Sequence, residues 1–197
     1  MEEILACIKA KYEKYRSINQ SFVIGINGID CSGKTTFAKL VSKYFTHYKI
    51  ENVCLDIDNF NNPAIESETY KAFVSGSWDE EDLNKYYELI INFSDATRAV
   101  SESKKKYSLV ILEGIFIYKP QLADLFDLKI YLDINISLGR KRFAKRRILK
   151  QDKRPFEIYD EIWMLSHMRY ESEVHPKRIS DLVIDYNDES KPVLHEN

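Results

Sequence analysis

Short apolar runs alternate with stretches of helical periodicity along most of this chain. Residues 2–16 place Ile4, Leu5, Ile8, Tyr12 and Tyr15 on one face, which predicts an amphipathic helix. Residues 21–27 form an apolar run ending at Gly28 and read as a buried strand. The spacing then turns helical over 34–46, where Phe37, Leu40, Val41, Tyr44 and Phe45 make a stripe. A second strand is expected at 52–57, followed by a polar, irregular stretch to about Asp79. Residues 80–102 align Leu83, Tyr86, Tyr87, Ile90 and Phe93 and predict one helix.

Further strands are expected at 107–112, 128–132 and 181–185. Helices are expected from Pro120, over 136–150 and over 156–173, the last stopped by Pro176. The tail, 187–197, is polar and expected to be loose. Strands alternating with helices imply a doubly wound α/β sheet with helices on both faces. A chain of 197 residues suits one domain spanning 1–197.

Composition narrows the class. Hydrophobic residues make up 44% and charged residues 30%, as in ordinary globular proteins. No apolar run approaches the ~20 residues that span a bilayer. The first 16 residues are too charged for a signal peptide, so a cytoplasmic location and no membrane partner are expected. Three scattered cysteines suggest neither a disulfide framework nor a zinc site. Net charge is −2, yet Arg140–Arg154 carries nine basic residues against the single Asp152, a local +8.

The most informative segment is Gly28-Ile-Asp-Cys-Ser-Gly33-Lys34-Thr35-Thr36. It matches G-x-x-x-x-G-K-[ST] between a predicted strand and a predicted helix, the context a phosphate-binding loop requires. Backbone N–H groups from Gly28 through Asp30, Cys31, Ser32 and Gly33 to Thr36 would face phosphate oxygens, helped by the helix dipole. Lys34 supplies a positive charge for the β and γ phosphates, and the Thr35 hydroxyl is placed to ligate Mg²⁺. Cys31 lies near a helix N-terminus, where a thiol pKa falls; it is either an oxidisable switch or a small residue that fits.

The chain lacks the N-K-x-D segment of a GTPase and the Asp-Glu strand end of motor ATPases. The third strand instead ends in Glu113-Gly114. Glu113 suits a metal or its water shell, or a structural ion pair, while the glycine leaves room beside a nucleotide. The second strand ends in Leu55-Asp56-Ile57-Asp58-Asn59-Phe60. A carboxylate there lies where ligands gather in open parallel sheets and can accept the proton of an attacking hydroxyl. Strand-end position favours Asp58, with Asp56 as the alternative.

Together GIDCSGKTT, LDIDNF, SWDEED, LVILEGIF, the basic segment, MRY and SDLVID resemble the uridine kinase-like family, in the wider group with phosphoribulokinase and pantothenate kinase. The resemblance runs from about Phe22 to Asp185. It implies a five-stranded parallel sheet, an ATP or GTP donor with Mg²⁺, and a helical basic lid at about 140–156. It implies Asp58 as the proton acceptor, Thr35 and Glu113 beside Mg²⁺, and Phe60 and Asp79 near the substrate. Asp79 is equally suited to cap the next helix. Arg142, Arg146 and Arg147 fall where such kinases place lid arginines that neutralise the transferred phosphate.

The pyrimidine-reading segment of uridine kinases has no counterpart: residues 92–106 contain no His and no Pro-x-Tyr. The expected reaction is transfer of the γ-phosphate to a hydroxyl of a small molecule, a nucleoside such as uridine or cytidine in the first instance. The competing reading is a nucleic-acid-binding or regulatory ATPase using the +8 segment. Cations without interleaved aromatics argue against a nucleic-acid partner. Homo-oligomerisation is not readable from these patterns.

Overall fold

The computed structural model describes residues 1–16 and 21–196. Its centre is a six-stranded sheet in the order β2-β3-β1-β4-β5-β6. The strands are β1 (Phe22–Gly28), β2 (Asn52–Asp56), β3 (Leu109–Glu113), β4 (Leu128–Asp133), β5 (Leu182–Asp185) and β6 (Val193–Glu196). The first five are parallel, as the alternating pattern predicts. β1 and β3 are buried at every position, which is why their sequences are continuous apolar runs and do not alternate.

β6 is an addition to the five expected strands. The tail expected to be loose returns antiparallel along β5, pairing Leu182 with Glu196 and Asp185 with Val193. Hydrogen bonding to an edge holds this short segment, and Leu194 packs against the core. Residue 197 of that tail lies outside the described residues.

Helices cover both sides of the sheet. They are α1 (Glu2–Arg16), α2 (Lys34–His47), α3 (Pro63–Ser75), α4 (Glu80–Leu89), α5 (Phe93–Lys104), α6 (Pro120–Ala123), α7 (Ile136–Leu149) and α8 (Leu165–Val174). α1 buries Ile4, Leu5, Ile8 and Tyr12, with Glu2 and Glu3 at its start and Arg16 at its end to complement its dipole. α2 buries Phe37, Ala38, Val41 and Phe45 against β1, β2 and β3.

Two expectations between β2 and β3 need correction. The stretch expected to be irregular contains α3, begun by an Asn62 side chain that accepts from Ala64 N at 3.2 Å, with Pro63 in the first turn, and ended at Gly76 (φ 75°). The single helix expected over 80–102 is two, because Ile91 pairs with Asn61 in an isolated bridge and Asn92 caps α5. Ile90 and Ile91 are both buried at this break, so the apolar stripe runs through it without a gap.

α7 is held at its middle by the fully buried Phe143, whose ring lies 5.7 Å from Phe156, 5.3 Å from Tyr159 and 5.0 Å from Trp163. Tyr159 and Trp163 belong to a π-helical turn, Tyr159–Met164, that leads into α8. Among the described residues no helix is long and apolar enough to cross a membrane.

Candidate active site

β1 sits where the strand order reverses, and the segment leaving its carboxyl end opens directly into α2. That crevice is where open α/β sheets bind ligands. The loop needs left-handed backbone at Gly33 (φ 98°) and takes it also at Cys31 (φ 62°). Lys34 is buried, and its Nζ donates to the carbonyls of Gly28 (3.1 Å) and Ile29 (2.8 Å), so the loop itself holds the ammonium. Ser32 is fully buried with its Oγ unpartnered among the described residues.

A cavity of about 350 Å³ lies over this loop. Asp30, Cys31, Gly33, Lys34, Thr35 and Thr36 line it from the loop and α2, while Asp56, Asp58, Glu113, Arg142 and Arg146 line it from the other side. A second cavity of about 510 Å³ adjoins it, and Asp30, Asp58, Ile115, Arg146 and Lys150 line both.

The two aspartates after β2 divide their tasks. Asp56 Oδ1 accepts from Asp58 N at 3.0 Å and caps the 3₁₀ turn Ile57–Phe60. That contact leaves the Asp58 side chain facing the shared wall of the cavities. The Asp58 carboxyl is open to water but set in a concave cleft, whose walls displace solvent and push its pKa up to about 6. Asp30 and Asp56 add to the rise, and Lys34 and Arg146 oppose it.

Glu113 is 3% exposed, and burial pushes its carboxyl up to about 7 against the pull of Lys34 and a hydrogen bond with Thr35. Its Oε1 has no hydrogen-bond partner among the described residues. Gly114 follows at φ 153°, and a Cβ there would lie 1.9 Å from Ile57 Cγ2. The glycine therefore makes room for Ile57, and it also lines the cavity over the phosphate loop.

A magnesium ion fits the donor set. Mg²⁺ takes one or two protein oxygens and completes its shell with water and phosphate. Glu113, with a buried unpartnered oxygen beside the Thr35 hydroxyl, offers such a pair. No group of three or more His, Cys, Asp or Glu side chains gathers to hold an ion alone among the described residues, and a phosphate-borne ion does not need one.

Other expected residues fall in different places. Arg142 donates to the carbonyls of Cys31 (3.3 Å), Ser32 (3.1 Å) and Tyr186 (3.3 Å) and pairs with Glu189 at 3.0 Å, bracing the phosphate loop against the β5–β6 connection. Arg146 faces both cavities. Arg140 and Arg154 are paired with Asp160 and Asp152, so part of the basic window is neutralised locally.

Asp79 Oδ1 accepts from Asp82 N at 3.0 Å as the cap of α4, and neither it nor the half-buried Phe60 lines either cavity. For Cys31 the direction expected is reversed: burial pushes its thiol up, outweighing Arg146, Lys34 and Arg142. Residues 92–106, where a pyrimidine-reading segment is missing, contribute nothing to the larger cavity. Sequence reasoning missed Glu66 and Tyr70, which line it from α3, and Tyr86, Ile162 and Trp163, which line it from the opposite helices. The Asn62-Pro63 start and Gly76 stop were the available signals for α3.

No protein-family model matches the chain. The uridine kinase of Saccharomyces cerevisiae is 30% identical over 151 residues, covering 66% of this chain and 30% of that protein. The pantothenate kinase of Streptococcus pneumoniae is 29% identical over 180 residues, covering 77% of this chain and 58% of that protein. The chain thus spans between about a third and three fifths of the curated relatives it matches. A solved structure described as a possible uridine kinase from Bacillus stearothermophilus superposes with a TM-score of 0.62 at 19% identity, covering 92% of this chain and 98% of that one. A phosphate loop at the switch point of a parallel sheet and these relatives in sequence support the uridine kinase-like family of P-loop kinases.

Proposed function

We propose that this protein is a kinase that moves the γ-phosphate of ATP or GTP to a hydroxyl of a small molecule, with a nucleoside as the first candidate acceptor. The observation that carries the reading is the shared wall: Asp58 and Arg146 line both the cavity over the phosphate loop and the larger one beside it. A donor phosphate in the first and a hydroxyl in the second would meet at those two side chains.

In this reading the loop amides from Gly28 to Thr36 and the start of α2 hold the phosphates. Lys34 moves from its carbonyl partners to the β and γ oxygens. Thr35 and Glu113 hold Mg²⁺, which when bound neutralises phosphate charge. Asp58 accepts the proton of the acceptor hydroxyl; with its pKa at about 6 it is ionised at neutral pH and more basic than an ordinary aspartate. Arg146 offers its charge to the phosphoryl group in transit. Arg142 shapes the loop, and residues 140–156 act as a lid anchored by Phe143 within one domain. Asp79 supports the cleft through α4, and Phe60 through the turn that carries Asp58.

The experiment is an acceptor panel of nucleosides, sugars and vitamins with Mg²⁺–ATP, run on wild type and Asp58→Asn. Acceptor-dependent transfer that disappears in Asp58→Asn, with ATP affinity nearly unchanged, is the expected result. Full activity in the variant would remove Asp58 from the proton-accepting role.

A further inference from the structure

Aromatic side chains from three separate elements line the larger cavity: Tyr70 on α3, Tyr86 on α4 and Trp163 in the π-helical turn. Side chains of both charge signs reach it as well, Glu66 and Asp152 against Lys150 and Arg154, so net charge does not choose its ligand. The fold holds two of the three rings in place. Tyr86 is 7% exposed on α4. Trp163 is 8% exposed, with the Phe143 ring 5.0 Å away and the Arg154 guanidinium 4.9 Å from its centroid. The π turn brings Trp163 to this cavity together with Ile158, five residues earlier. Residues five apart point about 140° apart around an α-helix. The i→i+5 bonding of a π turn stacks them on one side.

Tyr70 is held differently. It is 36% exposed, and its ring stacks on no other ring among the described residues. α3 turns Ile65 and Thr69 into the core, while Pro63, Glu66, Ser67 and Tyr70, at helical spacing, line the cavity from a second face. An aromatic side chain left open on a cavity wall, with two fixed aromatic side chains and Ile158 lining the same space, is a stacking platform without its guest.

We propose that Tyr70 is a specificity-determining residue for the acceptor: it stacks on a planar heteroaromatic ring of the bound molecule, and Ile158, Tyr86 and Trp163 complete the apolar surround. Such a ring has apolar faces and a hydrogen-bonding edge. It suits a cavity that sets aromatic side chains beside Asn61, Ser67 and Thr69. A sugar or an open-chain polyol carries hydroxyls on every side and would leave some of them unpaired against the rings. The inference rests on the kinase reading only in calling the molecule an acceptor and in placing its hydroxyl at Asp58.

The test measures binding to the full chain with Mg²⁺–ADP present, for uridine, cytidine and adenosine against ribose and pantothenol, which carry hydroxyls but no aromatic ring. At least one nucleoside should bind about tenfold or more tighter than both ringless compounds. Tyr70→Ala should weaken that nucleoside about tenfold, and Tyr70→Phe, which keeps the ring, should stay within about twofold of wild type. Alanine suits an exposed helical position, so the variant keeps the fold, and its ADP affinity, read in the same titration, reports that. Wild-type nucleoside affinity in Tyr70→Ala would overturn the inference. So would equal losses in Tyr70→Phe and Tyr70→Ala, ribose or pantothenol binding as tightly as every nucleoside, or no nucleoside binding at all. Ring-selective binding without phosphate transfer would refute the kinase reading and leave the role of Tyr70 standing. Transfer to ribose or pantothenol alone would keep the kinase reading and overturn this one.

Discussion

Replacing Gly114 with Ala tests how the sheet positions the Asp58 turn. The added Cβ would sit 1.9 Å from Ile57 Cγ2 and 2.6 Å from Ile57 Cβ, where ordinary contact begins near 3.4 Å. Ile57 is fully buried and cannot swing into solvent. Overpacking costs about 1–3 kcal/mol and a side chain at φ 153° a similar amount, so the variant should lose about 4 kcal/mol. For a chain of this length that lowers Tm by about 12 °C. Asp58 follows Ile57 directly, and a shift of about 1 Å there should cut kcat about 100-fold.

Thermal denaturation and turnover, measured in a double-mutant cycle with Ile57→Ala, separate this clash from general damage. Ile57→Ala removes the atom at 1.9 Å and leaves the one at 2.6 Å, so it should relieve part of the Gly114→Ala loss, with a coupling of about 1 kcal/mol or more. Purely additive losses, or a Gly114→Ala protein of wild-type Tm and kcat, would refute the packing argument.

Lys119 is 3% exposed; its Nζ donates to Tyr87 O at 2.6 Å and lies 3.3 Å from the Tyr87 ring centroid. Burial pulls its pKa from 10.5 down to about 8, so the folded protein bears a penalty of about 3 kcal/mol below pH 8. That penalty lifts as pH rises from 8 to 10.5, and Lys119→Met should flatten the corresponding rise in Tm. The acid limb of kcat/KM should fall near pH 6, the Asp58 value, because protonation there removes the proton acceptor; a limb near 4 would disagree. Asp79→Ala should cost about 1 kcal/mol of stability, as loss of a helix cap does, and leave the acceptor KM unchanged. A raised KM would return Asp79 to substrate binding.

The sheet and the phosphate loop were legible because their residues do one thing each. Val23, Ile24 and Ile26 lie in a strand covered on both faces, and Gly33-Lys34-Thr35 must fit phosphate chemistry. α3 was less legible: it buries only Ile65 and Thr69, too few positions for a stripe. The division of α4 from α5 was hidden because Ile90 and Ile91 are apolar for packing at a break. β6 is held by backbone hydrogen bonds to β5, which leave little trace in Val193-Leu194-His195. The Cys31 thiol was misjudged in direction because its burial is a tertiary fact. The larger cavity was invisible for the same reason: Asp30, Glu66, Tyr86 and Trp163 are distant in sequence and meet only in the fold.

The most direct measurement follows the γ-phosphate by ³¹P NMR in the full chain with Mg²⁺–ATP and the acceptor panel. A phosphate ester of one acceptor should appear in step with ADP, and its formation should stop in Asp58→Asn. Inorganic phosphate formed without any acceptor, or ADP release stimulated by nucleic acid, would contradict the account.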